Sequence, residues 1–127
     1  MNKTQARNRA AILVGIGILF VLVFTPVSGL THSELQNTLD TYTYGREYQV
    51  DVWDCSDMSI NVAWFLQEEL GYDTLVMYYD GHAWVLVYAG NGWIAVETTA
   101  DCVNRLGIVV SSDEYYYGYC GEWNEVR

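Results

Sequence analysis

Apolar positions between residues 55 and 70 recur at helical spacing. Met58, Val62, Phe65 and Leu66 stand at i, i+4, i+7 and i+8 and form one stripe. Asp54 precedes the run and Asp57 follows it by three residues, a capping-box spacing with Asp in place of Glu. Gly71 supplies the stop. The spacing predicts a helix over 55–70, with Cys55 in its first turn on the core-facing stripe. The period then shortens to two. TLVMYY (74–79), HAWVLVY (82–88) and GWIAVETT (92–99) read as strands, and Asp80-Gly81 between the first two is a hairpin signal. Alternation sets His82, Trp84 and Leu86 on one face and Ala83, Val85 and Val87 on the other, while Trp93, Ala95 and Glu97 share a face. Two registers fit the next hairpin. A turn at Ala89-Gly90 sets His82 opposite Glu97, and a turn at Asn91-Gly92 sets Glu97 opposite Leu86. Both keep the two residues on one side of the sheet, and only the first is expected to bring them into contact.

The flanks are weaker in signal. Thr31-His32-Ser33-Glu34 opens a short helix reaching to about Thr41, with His32 as a solvated residue of its polar start. Tyr42, Tyr44, Tyr48 and Trp53 lead up to Cys55 and read mainly as aromatic packing, with Trp53 the best candidate for a groove wall. LGIVV (106–110) reads as a strand, Ser111-Ser112-Asp113 as a turn, and 114–119 as another strand or a sheet edge. The expected fold class is α+β, a helix carrying Cys55 packed on an antiparallel sheet.

Composition divides the chain in two. Lys3, Arg7 and Arg9 precede a stretch from Ala10 to Leu30 without a charged residue, so residues 1–30 read as a signal peptide or a membrane anchor. Either would export residues 31–127 as one domain, secreted or held at the extracellular face. That domain carries all 16 acidic residues, and its basic residues are Arg46, Arg105 and Arg127. The whole chain's formal charge of −10 therefore becomes about −13 for residues 31–127, which argues against nucleic acid as a partner. Membrane contact is expected only through residues 1–30, if they are retained. Solubility explains so acidic a surface, and a cationic ligand is the sharper alternative.

Three cysteines in an exported chain leave one unpaired. Cys102 and Cys120 flank the C-terminal hairpin and are the disulfide candidates. Cys55 is then the free thiol, beside the open N–H groups and positive end of a helix dipole, a setting that favours thiolate. An inert core cysteine is the competing explanation. No C-x₂-C or H-x₃-H spacing supports a metal site, and no cofactor is implied.

Three blocks in order, DCSD at a helix start, GHAWVLV and GWIAVETT, resemble the transglutaminase-like branch of the papain-like cysteine-enzyme superfamily. That family shows a Cys at a helix N-terminus, a strand reading roughly H-A-W-V-x-V, and a next strand reading G-W-x-x-x-D-P-T. The match spans about half the chain and departs from the pattern at Glu97-Thr98-Thr99, where the family has Asp-Pro-Thr. The resemblance implies a papain-like core and a cysteine hydrolase, peptidase or amidase, with transamidation as a further reaction. Cys55 would be the nucleophile, His82 the base and Glu97 the orienting carboxylate of a catalytic triad. The oxyanion would be held by the Cys55 N–H and a second donor, either the Trp53 indole or the Tyr48 hydroxyl. The substrate would be a peptide or protein amide. The alternative is a catalytically silent module of the same fold that binds a peptide or protein outside the membrane.

Overall fold

The structure is a computed structural model that describes residues 29–126. Of the leader or anchor expected over residues 1–30, only Gly29 and Leu30 fall among them; the rest of that segment lies outside the described residues. Among the described residues no helix is long and apolar enough to cross a membrane. The described residues fold as α+β, two helices on a five-stranded antiparallel sheet.

Helix α1, His32–Thr41, begins at Thr31, whose hydroxyl accepts the Glu34 N–H at 3.1 Å. Leu35 and Leu39, one turn apart, are fully buried on its inner side, whereas His32 is exposed. Helix α2, Cys55–Trp64, has the expected capping box: Asp54 accepts from the Ser56 and Asp57 N–H groups, and Asp57 accepts from the Asp54 N–H. Its last turns widen into a π-helical segment, Phe65–Glu69, before Gly71 takes φ +82° and ends the run. Beside the widened turn, the Thr74 hydroxyl donates to the Ala63 carbonyl at 3.2 Å.

The strands are β1 Thr74–Tyr79, β2 His82–Tyr88, β3 Trp93–Glu97, β4 Ile108–Val110 and β5 Tyr119–Gly121, in the order β4-β3-β2-β1-β5. Asp80 and Gly81 both take positive φ, 50° and 75°, and close β1–β2 as a two-residue turn with Tyr79 opposite His82. Both helices cover one face. Val62, Leu66, Leu35 and Leu39 pack there with Val76, Val85, Val87, Ile94 and Val96. The other face buries Met77, Trp84, Leu86 and Ala95 beneath Tyr115 and Val110. The sheet is thus buried on both sides at its centre, which is why β2 reads as a continuous apolar run.

Two expectations need correction. The β2–β3 register is neither of the two anticipated: Leu86 pairs with Ala95 and Val85 with Val96, so the same ladder sets Glu97 opposite Trp84. The chain turns through Ala89–Gly92, with the Ala89 N–H donating to the Gly92 carbonyl at 2.7 Å. The tyrosine-rich run is also not a strand over 114–119. Asp113–Tyr116 form a 3₁₀ turn and pairing begins only at Tyr119. The turn is held from the sheet, by the Trp84 indole donating to the Tyr115 carbonyl (2.8 Å) and by the Tyr116 hydroxyl donating to the Trp93 carbonyl (3.1 Å). Side-chain bonds of this kind outcompete strand propensity.

Candidate active site

His82 starts β2 and Glu97 ends β3, on the same face but one pair out of step. Diagonal cross-strand neighbours lie about 7–8 Å apart at their Cα atoms, within reach of long side chains. A glutamate closes that gap: His82 Nε2 and Glu97 Oε2 are 2.6 Å apart. The contact reserved above for a directly opposed pair is therefore made along the diagonal, and the extra methylene that sets Glu97 apart from an Asp is what the diagonal requires.

Glu97 is buried, and both carboxylate oxygens are engaged. Oε2 also accepts the Tyr115 hydroxyl at 3.2 Å. Oε1 accepts the Thr99 N–H at 3.2 Å and the Thr99 hydroxyl at 2.8 Å. Four donors around one carboxylate fix its orientation. The imidazole is positioned as firmly. Its ring stacks on Trp84 at a centroid distance of 5.7 Å, and Trp84 meets Tyr115 edge-on at 5.4 Å. Facing a carboxylate, Nε2 carries a proton; in the neutral ring Nδ1 is then the acceptor nitrogen, and it makes no hydrogen bond among the described residues. Burial, then the charge of Glu97 and its hydrogen bond, then the charge of Glu114, push the Tyr115 hydroxyl pKa up, so Tyr115 stays a donor to Glu97.

Cys55 is 8% exposed at the first position of α2. Its Sγ lies 4.0 Å from the carbonyl oxygen of Gly81, the residue before His82. The thiol therefore abuts the turn that carries the imidazole. A buried hydroxyl pair fixes the helix along the sheet: Ser59, one turn into α2, meets Thr98 at 2.9 Å, and Thr98 follows Glu97. Because Asp54 takes the N–H groups of Ser56 and Asp57, the Cys55 N–H is the open donor of the first turn.

The approach to the thiol is built from Trp53 and its neighbours. Trp53 exchanges two backbone hydrogen bonds with Gln49 (2.9 and 2.8 Å), packs edge-on with Tyr44 and carries the Arg46 guanidinium 4.7 Å above its ring. Trp53 is buried, Tyr48 is 45% exposed, and neither the Trp53 indole nor the Tyr48 hydroxyl makes a hydrogen bond among the described residues. Desolvation, followed by the charges of Cys55, Asp54 and Asp51, pushes the Tyr48 hydroxyl pKa up. Tyr42 packs instead against Phe65.

Cys102 and Cys120, expected as a disulfide, are not bonded to each other in this structure. Cys102 lies in the β3–β4 connection, and Cys120 is opposite Met77 on the edge strand β5. Thr99 and Tyr115 are site residues that the sequence reading did not single out. Thr99 belongs to the quoted strand motif and was open to discovery there. Tyr115 sits in an aperiodic tyrosine run that gives no sign of which ring turns inward.

No protein-family model matches the chain, and neither a curated protein nor a solved structure matches it.

Proposed function

We propose that the chain is a transglutaminase-like cysteine hydrolase acting on a peptide or protein amide outside the membrane, with residues 1–30 as its export signal or anchor. Two observations support this reading: the 2.6 Å His82–Glu97 pair, held by Thr99 and Tyr115, and a thiol at a helix start whose Sγ lies 4.0 Å from the carbonyl of Gly81, the residue before His82. Such a pair presents Nδ1 as a base. His82 removes the thiol proton, and Cys55 Sγ attacks the amide carbonyl carbon. The tetrahedral oxyanion is met by the Cys55 N–H together with the Trp53 indole or Tyr48 hydroxyl. Collapse breaks the C–N bond, the imidazolium returns its proton to the leaving amine, and a Cys55 thioester remains. Water, activated by His82, then attacks the thioester and regenerates the thiol; an amine in its place gives transamidation. Glu97 holds the tautomer and stabilises the imidazolium throughout.

A second reading has its own support. The hydrogen-bond partner of Sγ is the Gly81 carbonyl, and Asp54 and Asp57 put two negative charges in the same helical turn, where they repel a thiolate. On that reading the fold is a silent binding module. Acid quenching after mixing with an activated ester separates the two. The enzyme accumulates an acyl adduct on Cys55 that is lost in His82→Ala, whereas a binding module shows no adduct.

A further inference from the structure

On the sheet face that carries His82, a cavity of about 560 Å³ opens between the β1–β2 turn and the 3₁₀ turn. Its size is within the usual range for ligand pockets, about 300–1,000 Å³. Four aromatic rings wall it: Tyr79, Trp84, Tyr115 and Tyr117. Trp84 and Tyr115 are fixed by their own hydrogen bonds to the 3₁₀ turn and to Glu97, whereas Tyr79 and Tyr117 stand 57% and 70% exposed at the rim. Two carboxylates, Asp80 and Glu114, face the same space, and His82 closes one end.

Among the described residues those carboxylates have no Lys or Arg partner. The arginines among the described residues are Arg46, stacked over Trp53, and Arg105, bonded to Asp40 at 2.7 Å and Asp101 at 3.0 Å. Neither the Asp80 nor the Glu114 carboxylate makes a hydrogen bond or ion pair among the described residues. Gly118, at φ +143°, lets the chain behind the 3₁₀ turn run against β1, where a Cβ would stand 2.4 Å from the Tyr78 carbonyl oxygen. The backbone next to Tyr117 thereby lies directly against β1.

We infer that this cavity is a binding subsite for an arginine side chain of the peptide substrate, stacked between the tyrosines and paired with Asp80 and Glu114 beside His82. The inference rests on the reading above for the arginine's relation to the reacting amide, but not for the binding itself. An aromatic box with two acidic rims suits a guanidinium better than an ammonium. The guanidinium is planar, is more weakly hydrated, and stacks on ring faces while its N–H groups reach carboxylates. Arg46 on Trp53 is the same contact made within the chain.

The test is equilibrium binding of a short arginine peptide to the full chain, followed by titration calorimetry, with citrulline and lysine peptides of the same sequence as comparisons. Citrulline keeps the shape and removes the charge. Citrulline should bind at least about tenfold more weakly, the expected effect of losing hydrogen bonds between charged groups. The pair Asp80→Asn with Glu114→Gln should cause a comparable loss for the arginine peptide; Asn tolerates the left-handed conformation of the turn, so the hairpin is kept. Affinity for arginine that equals citrulline, or that survives both substitutions, overturns the subsite, and lysine binding as tightly as arginine overturns the guanidinium assignment. Repeating the titration with Cys55→Ala separates the two ideas. Binding retained there while no acyl adduct forms on the wild-type chain would sink the catalytic reading and leave the subsite standing.

Discussion

Replacing Glu97 by Gln tests the site at the atom where its logic is tightest. The carboxylate accepts four hydrogen bonds, two at each oxygen, and an amide has one oxygen and one NH₂. The Thr99 N–H can only donate, so the amide oxygen must stay on the Thr99 side and the NH₂ must face His82 and Tyr115. The Tyr115 hydroxyl can rotate to accept. His82 Nε2 can accept only by giving up its proton, which moves the proton to Nδ1, the nitrogen that the proposed mechanism has take the proton of the thiol. Each bond that survives exchanges a charged acceptor for a neutral one, a loss of about 1 kcal/mol apiece, so the fold should lose roughly 2–4 kcal/mol. Turnover should fall much further, by roughly 10³–10⁴-fold, as the equivalent change does in serine triads. Thermal unfolding measures the first effect, and acyl-adduct formation in the still-folded variant the second. Imidazole ¹⁵N shifts of His82 report the tautomer directly. A folded Glu97→Gln protein that keeps the Nε2–H tautomer and forms adduct at the wild-type rate would refute the reasoning. Glu97→Asp should also be impaired, because the diagonal contact needs the longer side chain.

Further predictions follow from the surroundings of the site. Ser59→Ala should cost about 1–3 kcal/mol by leaving the buried Thr98 hydroxyl without its 2.9 Å partner; adding Thr98→Val should recover much of that in denaturant unfolding, and strict additivity of the two losses would contradict the pairing. Burial raises the Tyr44 hydroxyl pKa from 10.0 to about 12, and that hydroxyl donates to the Asn61 carbonyl at 2.7 Å. Its contribution to stability is therefore present below pH 10 and lost as pH rises towards 12, so Tyr44→Phe should flatten the stability profile in that window; an unchanged slope would count against it. Non-reducing peptide mapping of the folded chain should show no Cys102–Cys120 bridge, and finding one would contradict the free thiols of this structure.

Much of the site was legible because it depends on local signals. The Asp54 cap, the Met58–Val62–Leu66 stripe and the Asp80-Gly81 turn each depend on neighbours a few residues away, and each was found where expected. The β2–β3 register was not legible, because Ala89, Gly90, Asn91 and Gly92 offer several turns of similar local cost. Burial of Val85, Val87, Ile94 and Val96 on one face fixes parity and leaves steps of two residues open. The tyrosine run was misread for a related reason. Strand propensity is a preference for a pleated, half-buried surface, whereas here distant groups, the Trp84 indole and the Trp93 carbonyl, capture the chain as a 3₁₀ turn. Parity of cysteine number says nothing about where each residue lies in the fold, and this structure leaves Cys102 and Cys120 unbonded.

The central claim, that Cys55 is an activated nucleophile, is tested most directly by an internal comparison of two thiols in one chain. Cys120 is exposed on an edge strand, and Cys55 is 8% exposed. Access alone would make Cys120 react faster with a small alkylating agent. The measurement is the ratio of Cys55 to Cys120 alkylation in the folded chain at mildly acidic pH, read by peptide mass, in wild type and in His82→Ala. The account predicts that Cys55 reacts first in the wild type, and that His82→Ala reverses the order without changing the rate at Cys120. A Cys55 that reacts more slowly than Cys120 in both proteins would mark it as an inert core thiol and contradict the claim.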